Sequence, residues 1–536
     1  MASIDQQSSS THAGSTKDAK RYFAGNTGAS VLFFAFNILT AVYFVPFQLH
    51  YLHQSGYGIV GVANAVVSYL QALTFALLGT TFRFVTMNLA RGDREEADSY
   101  ASTHLAAVVY AIVVLLPICA VVSYFTPGLL KKIPPDQIAN TRILFFLCYA
   151  NFTLLLAATP YQLATYLRQR FDIRNLLDIA NQVFRYSTWV VVFAIAVPQL
   201  WYIGLGYMIG SAVALVATMV AARRLTPDFR PSVRRFDMRK FVEMARMGGW
   251  VGLDALGNML YWSTDLLIIT RMLGPAATGR YVVVWGFAMM LRSVISMMGA
   301  VIAPTTVAAY ARHEWDAMRT NLTRAIKFIS LGLALMLGIL CGLGLPFLTW
   351  WLRKEIPDAS VLGTLSLLMW LMIAHLVANS ALEPINALTL AANKVAAPCI
   401  ATIVSAVIKI ALSVLLIKFT SLGMVAVAIA GLITFTLRQL VFGPIYAGRL
   451  VSASSWPIYR ALVPGALLFA AMAAPAAWLA SRFDLATLPR LAGVGFALLA
   501  LGTIVTYFVA LNDRDRRFLA EVAPWGKRAS QPNPSP

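Results

Sequence analysis

The chain is poor in charge. Asp, Glu, Lys and Arg make up only 12% of its 536 residues, about half the share in a soluble domain. A soluble fold of this length has more surface than so few charges can cover, which excludes a water-soluble globular protein. Disorder is excluded for the opposite reason, since 59% of the residues are apolar and the mean hydropathy is +0.69. Cysteine is scarce as well. Cys119, Cys148, Cys341 and Cys399 lie in apolar runs and read as buried small side chains, not a disulfide framework. There is no P-loop, HExxH, CxxC or nucleophile elbow. Neither an enzyme active site nor a cofactor or metal site is therefore expected.

Long apolar runs are plentiful. About 20 apolar residues cross a bilayer. Windows of that size fall at 25–49, 57–82, 100–125, 140–165, 176–197, 200–222, 248–271, 280–303, 322–349, 361–388, 398–418, 421–447, 461–482 and 490–511. The expectation is an all-α polytopic membrane protein of about 14 transmembrane helices. The polar first 20 residues and the long first run speak against a cleaved signal peptide.

The net charge of +20 then becomes a matter of topology. With the amino terminus inside, one set of loops holds about 27 Lys and Arg, the other about 9, and the spans about 7. Both termini are therefore expected in the cytoplasm, and nucleic acid is not an expected partner. The densest cluster, Arg223 to Arg246, falls between spans six and seven. The expected organisation is a cytoplasmic tail (1–24), a first lobe (25–222), a basic linker (223–247), a second lobe (248–447), spans thirteen and fourteen (448–511) and a cytoplasmic tail (512–536). The outward loops are too short to hold a catalytic domain.

A weak internal duplication supports two lobes. At a shift of 221 residues, 32–97 align with 253–318 without a gap. Asn37 then meets Asn258, Leu52 meets Leu273, Gly58 meets Gly279, and Ala90-Arg91 meets Ala311-Arg312. At a shift of 224, Pro160 meets Pro384 and Arg185 meets Lys409. The unit is about six spans, an even number, so both lobes share one orientation and a pseudo-two-fold along the membrane normal is expected.

Charges at membrane depth cost about 2.5–3.5 kcal/mol and normally face an interior or a wet cavity. Asp254, Asn258, Tyr261 and Asp265 share one face of the seventh span. The second span carries Asn64, Ser68 and Gln71, and Gln71 corresponds to Arg292 in the eighth. Arg185 and Lys409 lie at matching depth, and Arg438 is shallower. We expect Arg292, Arg185, Lys409, Asn37, Asn64, Gln71, Asn258 and Arg438 to line a substrate path. Asp254, Asp265, Glu383 and His375 are the expected groups for ion coupling. Helix-packing hydrogen bonds or structural ion pairs are the competing reading for each. Arginine near the midplane favours an anionic substrate, phosphate in particular. In a bilayer that points to a phospho- or diphospho-linked lipid.

Arg83-Phe84-Val85, then Leu89-Ala90-Arg91-Gly92-Asp93, and the turn from Leu52 to Tyr57-Gly58 carry a resemblance. The chain resembles the multidrug/oligosaccharidyl-lipid/polysaccharide (MOP) exporter superfamily, and within it the Wzx-type O-antigen flippases. Thr74 and Ala76 depart from the acidic residue and glycine common before the arginine motif, and the echo of the turn at Gly274 and Gly279 lacks the tyrosine. The resemblance implies an inner-membrane flippase for oligosaccharide units linked to undecaprenyl diphosphate, with a cationic lumen. It also implies a lipid-tail groove at spans thirteen and fourteen, and a cytoplasmic gate that Arg83 and Arg91 would position. Membrane lipids, and possible polymerase and chain-length proteins, are the implied partners of a chain acting as a monomer. A lipid II flippase, a cation-coupled multidrug exporter and a non-transporting scaffold of envelope assembly are the alternatives.

Overall fold

In hydrocarbon a single segment satisfies its own backbone only through the i to i−4 ladder of the helix. The computed structural model accordingly contains helices and no strand among its described residues, which are 4–130, 133–227, 231–392, 394–451 and 454–522. In chain order the helices are α1 (Ile4–Ala90), α2 (Arg94–Leu129), α3 (Ile138–Leu167), α4 (Phe171–Ile195), α5 (Tyr202–Leu225) and α6 (Met238–Met272). Next come α7 (Pro275–Ala311), α8 (Trp315–Gly342), α9 (Gly344–Leu352), α10 (Ala359–Ile373), α11 (Leu376–Asn379) and α12 (Leu382–Ala391). The last six are α13 (Ala396–Phe419), α14 (Met424–Leu437), α15 (Gly443–Leu450), α16 (Trp456–Arg482), α17 (Leu488–Val505) and α18 (Asp513–Val522). Asp93 and Asp237 cap α2 and α6, accepting from the amides of Glu96, and of Arg239 and Lys240.

Among the described residues, ten stretches are long and apolar enough to cross a membrane. The difference from fourteen windows has local causes. Windows 25–49 and 57–82 run as the single element α1, interrupted only at His53 (φ 55°, ψ 177°). α4, α6 and α7 are not among the ten; α4 and α6 carry Arg185 and the two aspartates, which make them too polar to count. Large exposed apolar side chains on α2 and α17, such as Val113, Phe125, Phe496 and Ile504, are what a lipid-facing surface requires.

The chain divides into two compact units, Met1–Val283 with Thr402–Val427, and Val284–Ala401 with Ala428–Pro536. In the first, α1 packs along α6 and against α2, α3 and α4, while α5 packs on α3 and α4. One of its cores gathers Val85, Ala97, Ala101, Leu163 and Met244. In the second, α16 packs along α8 and α17 touches both. Its cores include Met318, Leu322, Ile385 and Leu462, and separately Leu343, Ala476, Leu491 and Leu498.

The duplication, nearly silent in side chains, is plain in the backbone. At the 221 shift, α1 ends at Ala90 and α7 at Ala311, while α2 begins at Arg94 and α8 at Trp315. The left-handed residues coincide too: His53 (φ 55°) with Gly274 (φ 102°), and Gly92 (φ 81°) with His313 (φ 57°). Histidine at positive φ is uncommon, and it recurs here at His53 and His313. At the 224 shift, α3 ends at Leu167 and α12 at Ala391, and α4 ends at Ile195 and α13 at Phe419. The copies differ where continuous α3 is answered by α10, α11 and α12, with breaks at 374–375 and 380–381.

Within the first unit the two copies touch through their own equivalent positions. A Cβ on Gly58 would collide with the Pro275 carbonyl and the Gly279 amide; one on Gly279 would collide with the Gln54 carbonyl. Pro275 is the counterpart of Gln54, so the contact is reciprocal, as two-fold symmetry demands. Gly61 lies against Val282, its own counterpart. Arg280 Nε donates to Gln54 Oε1 at 2.6 Å beside this crossing.

Candidate functional site

α4 and α5 approach closely because Gly206 and Gly210 leave no room for a Cβ against Trp189 and Asn181. The approach brings Tyr207 over Arg185. The guanidinium carbon of Arg185 lies 4.5 Å from the ring centre of Tyr186, 5.3 Å from that of Tyr207 and 5.6 Å from that of Trp189. Nη2 donates to the Tyr186 hydroxyl at 2.9 Å, while Nε is buried with no hydrogen-bond partner. No carboxylate lies within ion-pair distance of Arg185 among the described residues. Phe44 of α1 closes the cluster, stacked on Tyr186 at 4.0 Å.

Polar side chains continue the patch. Asn64 is exposed, although its helix neighbours Ala63 and Ala65 are buried, and it donates to the Tyr207 hydroxyl at 2.9 Å. Gln182 donates to Asn37 Oδ1 at 3.2 Å, Asn37 bonds back to the Phe33 carbonyl at 2.7 Å, and Asn181 donates to Ser211 at 3.2 Å. The arrangement holds a cation to which the described residues supply ring faces and a hydroxyl but no counter-charge. Ring faces attract a cation only moderately, by about 0.5–2 kcal/mol, so the site keeps capacity for an anion.

Lys409 is different. The sequence placed it among the substrate-binding cations and placed Asp265 among the ion-coupling acids; the structure pairs them with each other. Lys409 is 2% and Asp265 4% exposed. Lys409 Nζ lies 2.8 Å from Asp265 Oδ1, also donates to the Tyr261 carbonyl at 2.5 Å, and sits 4.4 Å from the Tyr261 ring centre. Tyr281 donates to Asp265 Oδ2 at 2.9 Å. A charge this deep holds only when paired and fully hydrogen-bonded, and this one is. The polar stripe of α6 is thus buried at Tyr261 and Asp265, and half-buried at Asp254 and Asn258, where Asn258 bonds Asp254 Oδ2 at 3.1 Å.

Two of the expected ion-coupling groups, His375 and Glu383, have separate partners. His375 Nδ1 faces the Leu371 carbonyl at 3.0 Å and its ring meets Phe435 at 4.5 Å, whereas Glu383 accepts from Ser296 at 2.8 Å. The chain breaks at 380–381, so the two do not share one continuous helix face. Arg292 and Gln71 are half-buried. Arg438 is buried and opens a π-helical turn, Arg438–Phe442.

Arg83 and Arg91 are exposed. The rest of their motif is packing: Val85 is fully buried, Phe84 stacks on Tyr100 at 4.8 Å, and Phe82 stacks on Tyr166 at 4.2 Å. Sequence reasoning missed the ring cluster of Phe44, Tyr186 and Tyr207. The Arg185-Tyr186…Trp189 spacing was a usable signal for part of it. His104, which bridges Thr81 at 2.9 Å and Thr159 at 3.1 Å, was also missed; no spacing in the sequence marks it.

The family model described as "Polysaccharide biosynthesis protein" matches residues 25–310. The chain is 27% identical over 429 residues to the uncharacterized membrane protein EpsK of Bacillus subtilis strain 168, covering 80% of this chain and 83% of that one. Its fold is similar to an inward-facing multidrug resistance MATE family transporter of the MOP superfamily, at 15% identity and TM-score 0.63, over 77% of this chain and 96% of that one. It is also similar to the lipid II flippase MurJ in an inward closed conformation, at 13% identity and TM-score 0.61, over 88% and 98%. A MOP superfamily transporter from Pyrococcus furiosus, noted for the reverse polarity of its binding pocket, matches at 15% identity and TM-score 0.57, over 80% and 93%. These structural neighbours are transporters, and at such identities the likeness is one of fold. The chain belongs to the polysaccharide biosynthesis protein family and is a multi-pass membrane protein with the fold of MOP-superfamily transporters.

Proposed function

We propose that the chain is a flippase that carries an undecaprenyl-diphosphate-linked oligosaccharide from the cytoplasmic to the periplasmic leaflet of a bacterial inner membrane. The observation that carries this reading is Arg185, a partly buried cation with no carboxylate within ion-pair distance among the described residues and an unpartnered Nε. A diphosphate supplies the missing charge, and arginine's fixed donors suit two phosphate oxygens at once. Asn64, Asn181 and Asn37 lie on the same patch as hydrogen-bonding groups for a sugar head. A cation exporter is less favoured, because Asp265 is already taken by Lys409.

The membrane potential assists outward movement of an anion, by about 2.3 kcal/mol per charge per 100 mV. Asp254 and Glu383 remain the candidates for exchange of a proton or cation, and Arg83 and Arg91 for the cytoplasmic rim. Both termini then lie in the cytoplasm, the chain works by alternating access as a monomer, and its product passes to a polymerase and chain-length proteins. The test is reconstitution in liposomes with the lipid-linked oligosaccharide and a probe of head-group sidedness. Arg185→Gln lowers the flipping rate at least about tenfold, as loss of one charge-assisted hydrogen bond predicts, with insertion and melting unchanged. A wild-type rate for Arg185→Gln would overturn the assignment.

A further inference from the structure

In the second compact unit, α8, α16 and the junction of α17 with α18 line an open groove of about 950 Å³. Its lining has two ends of different chemistry. At one end stand Arg324, Lys327, Arg460 and Arg514 around a single carboxylate, Asp515. Lys327 lies 2.6 Å from Asp515 and Arg324 lies 4.0 Å from it. Arg460 and Arg514 are exposed and have no carboxylate within ion-pair distance among the described residues. At the other end Leu467, Val505 and Val509 form an apolar wall, and Leu467 and Val509 are 66% and 78% exposed. Trp456 and Tyr459 lie beside Arg460 at the start of α16, and are the residue types that collect at the boundary of a bilayer.

We infer that this groove binds an anionic phospholipid of the surrounding bilayer, with its phosphate on Arg460 and Arg514 and an acyl chain along Leu467, Val505 and Val509. Charge complementarity selects the occupant: among the described residues Arg460 and Arg514 have no carboxylate at ion-pair distance, a surplus that a neutral head group does not satisfy. Accessibility selects its source. The apolar wall opens to the lipid-facing surface and the two arginines are exposed, so a bilayer lipid enters sideways and exchanges. Asp515 fixes the start of α18 to α8 through Lys327, which holds Arg514 at the rim. By the cation count the three helix ends lie on the cytoplasmic side, where anionic head groups meet basic clusters. This site is separate from Arg185 and does not depend on the flippase reading.

The full-length protein, stripped of lipid in detergent, is titrated by native mass spectrometry with phosphatidylglycerol and with phosphatidylcholine of the same chains. The wild type binds phosphatidylglycerol more tightly. The double variant Arg460→Gln/Arg514→Gln loses about fivefold of that preference per cation, and Arg460→Lys/Arg514→Lys keeps it. Equal binding of the two lipids by the wild type overturns the inference, and that comparison stands even if the variants fail to fold. So does a preference untouched in the double glutamine variant. Tighter binding of undecaprenyl phosphate than of phosphatidylglycerol would assign the groove to the transported lipid, and equally tight binding of inorganic phosphate would make it a free-anion site; either outcome overturns it as well.

Discussion

Arg185 and Lys409 occupy equivalent positions in the two copies of the repeat, yet one is ringed by aromatics and the other is buried in an ion pair. The reason is one exchange on the neighbouring helix. At the 221 shift, Phe44 of α1 corresponds to Asp265 of α6. Phe44 stacks on Tyr186 beside Arg185, and Asp265 binds Lys409. The partners on the cation's own side differ in the same sense: Tyr186, Trp189 and Tyr207 become Ile410, Ser413 and Gly431 at the 224 shift. One copy has turned its membrane cation into a structural bond, while the other has kept it available. The backbone bond beneath survives in both copies, Asn37 to the Phe33 carbonyl and Asn258 to the Asp254 carbonyl.

The comparison breaks most readily at the buried pair. Asp265→Asn leaves Lys409 buried without its counter-charge and costs about 3–5 kcal/mol, read as a lowered melting midpoint in detergent. Asp265→Leu with Lys409→Met recovers most of that loss, because replacing both members with apolar groups is close to neutral. Recovery of the single variant's stability without the second change would show that the pair is not structural.

The converse exchange tests the open site. Phe44→Asp places a carboxylate beside Arg185 and is expected to lower flipping as Arg185→Gln does, by a charge-assisted hydrogen bond of about 1.5–3 kcal/mol. Phe44→Leu leaves the cation unpaired and keeps the activity. Flipping assays on the two variants side by side separate charge from packing.

Gly58→Ala tests whether the two copies need their reciprocal contact. A Cβ there meets backbone, which cannot rotate away, so about 1–3 kcal/mol of strain is expected. Thermal unfolding reports it, and an unshifted midpoint would mean that the crossing is loose.

A surface pair calibrates the buried one. Arg170 donates to Asp172 at 2.9 Å with both side chains about a third exposed, and this bond holds the Asp172 carboxyl below its usual range. A depressed carboxyl stabilises the fold above its ordinary value and loses that contribution as pH falls through the folded value. Solvent screening limits the effect of Asp172→Asn at neutral pH to below about 1 kcal/mol, measured as the pH dependence of melting.

Much of the architecture was legible in the residues. The apolar windows located helices, because hydrocarbon leaves the backbone no other local solution. The shift between copies was visible in Gly58, Gly279 and the Ala-Arg pairs, and the matching helix stops and left-handed residues confirm it. Two departures of the backbone from the expected spans have physical causes that apolar windows do not register. A single left-handed residue, His53, replaces an expected loop, and the expected tenth span is broken twice. The deep charges were legible as a set, since they stand out in apolar sequence. Their pairing was not. Lys409 and Asp265 lie 144 positions apart, and no periodicity links them.

The sequence alone determined that this chain is a helical, multi-pass membrane protein built twice over, because hydropathy and the cost of bare backbone in lipid act segment by segment. Only the tertiary structure decided which of its membrane charges are already neutralised. That depends on which helix lies beside which, and for Arg185 and Lys409 it turns on whether the neighbouring residue is a phenylalanine or an aspartate.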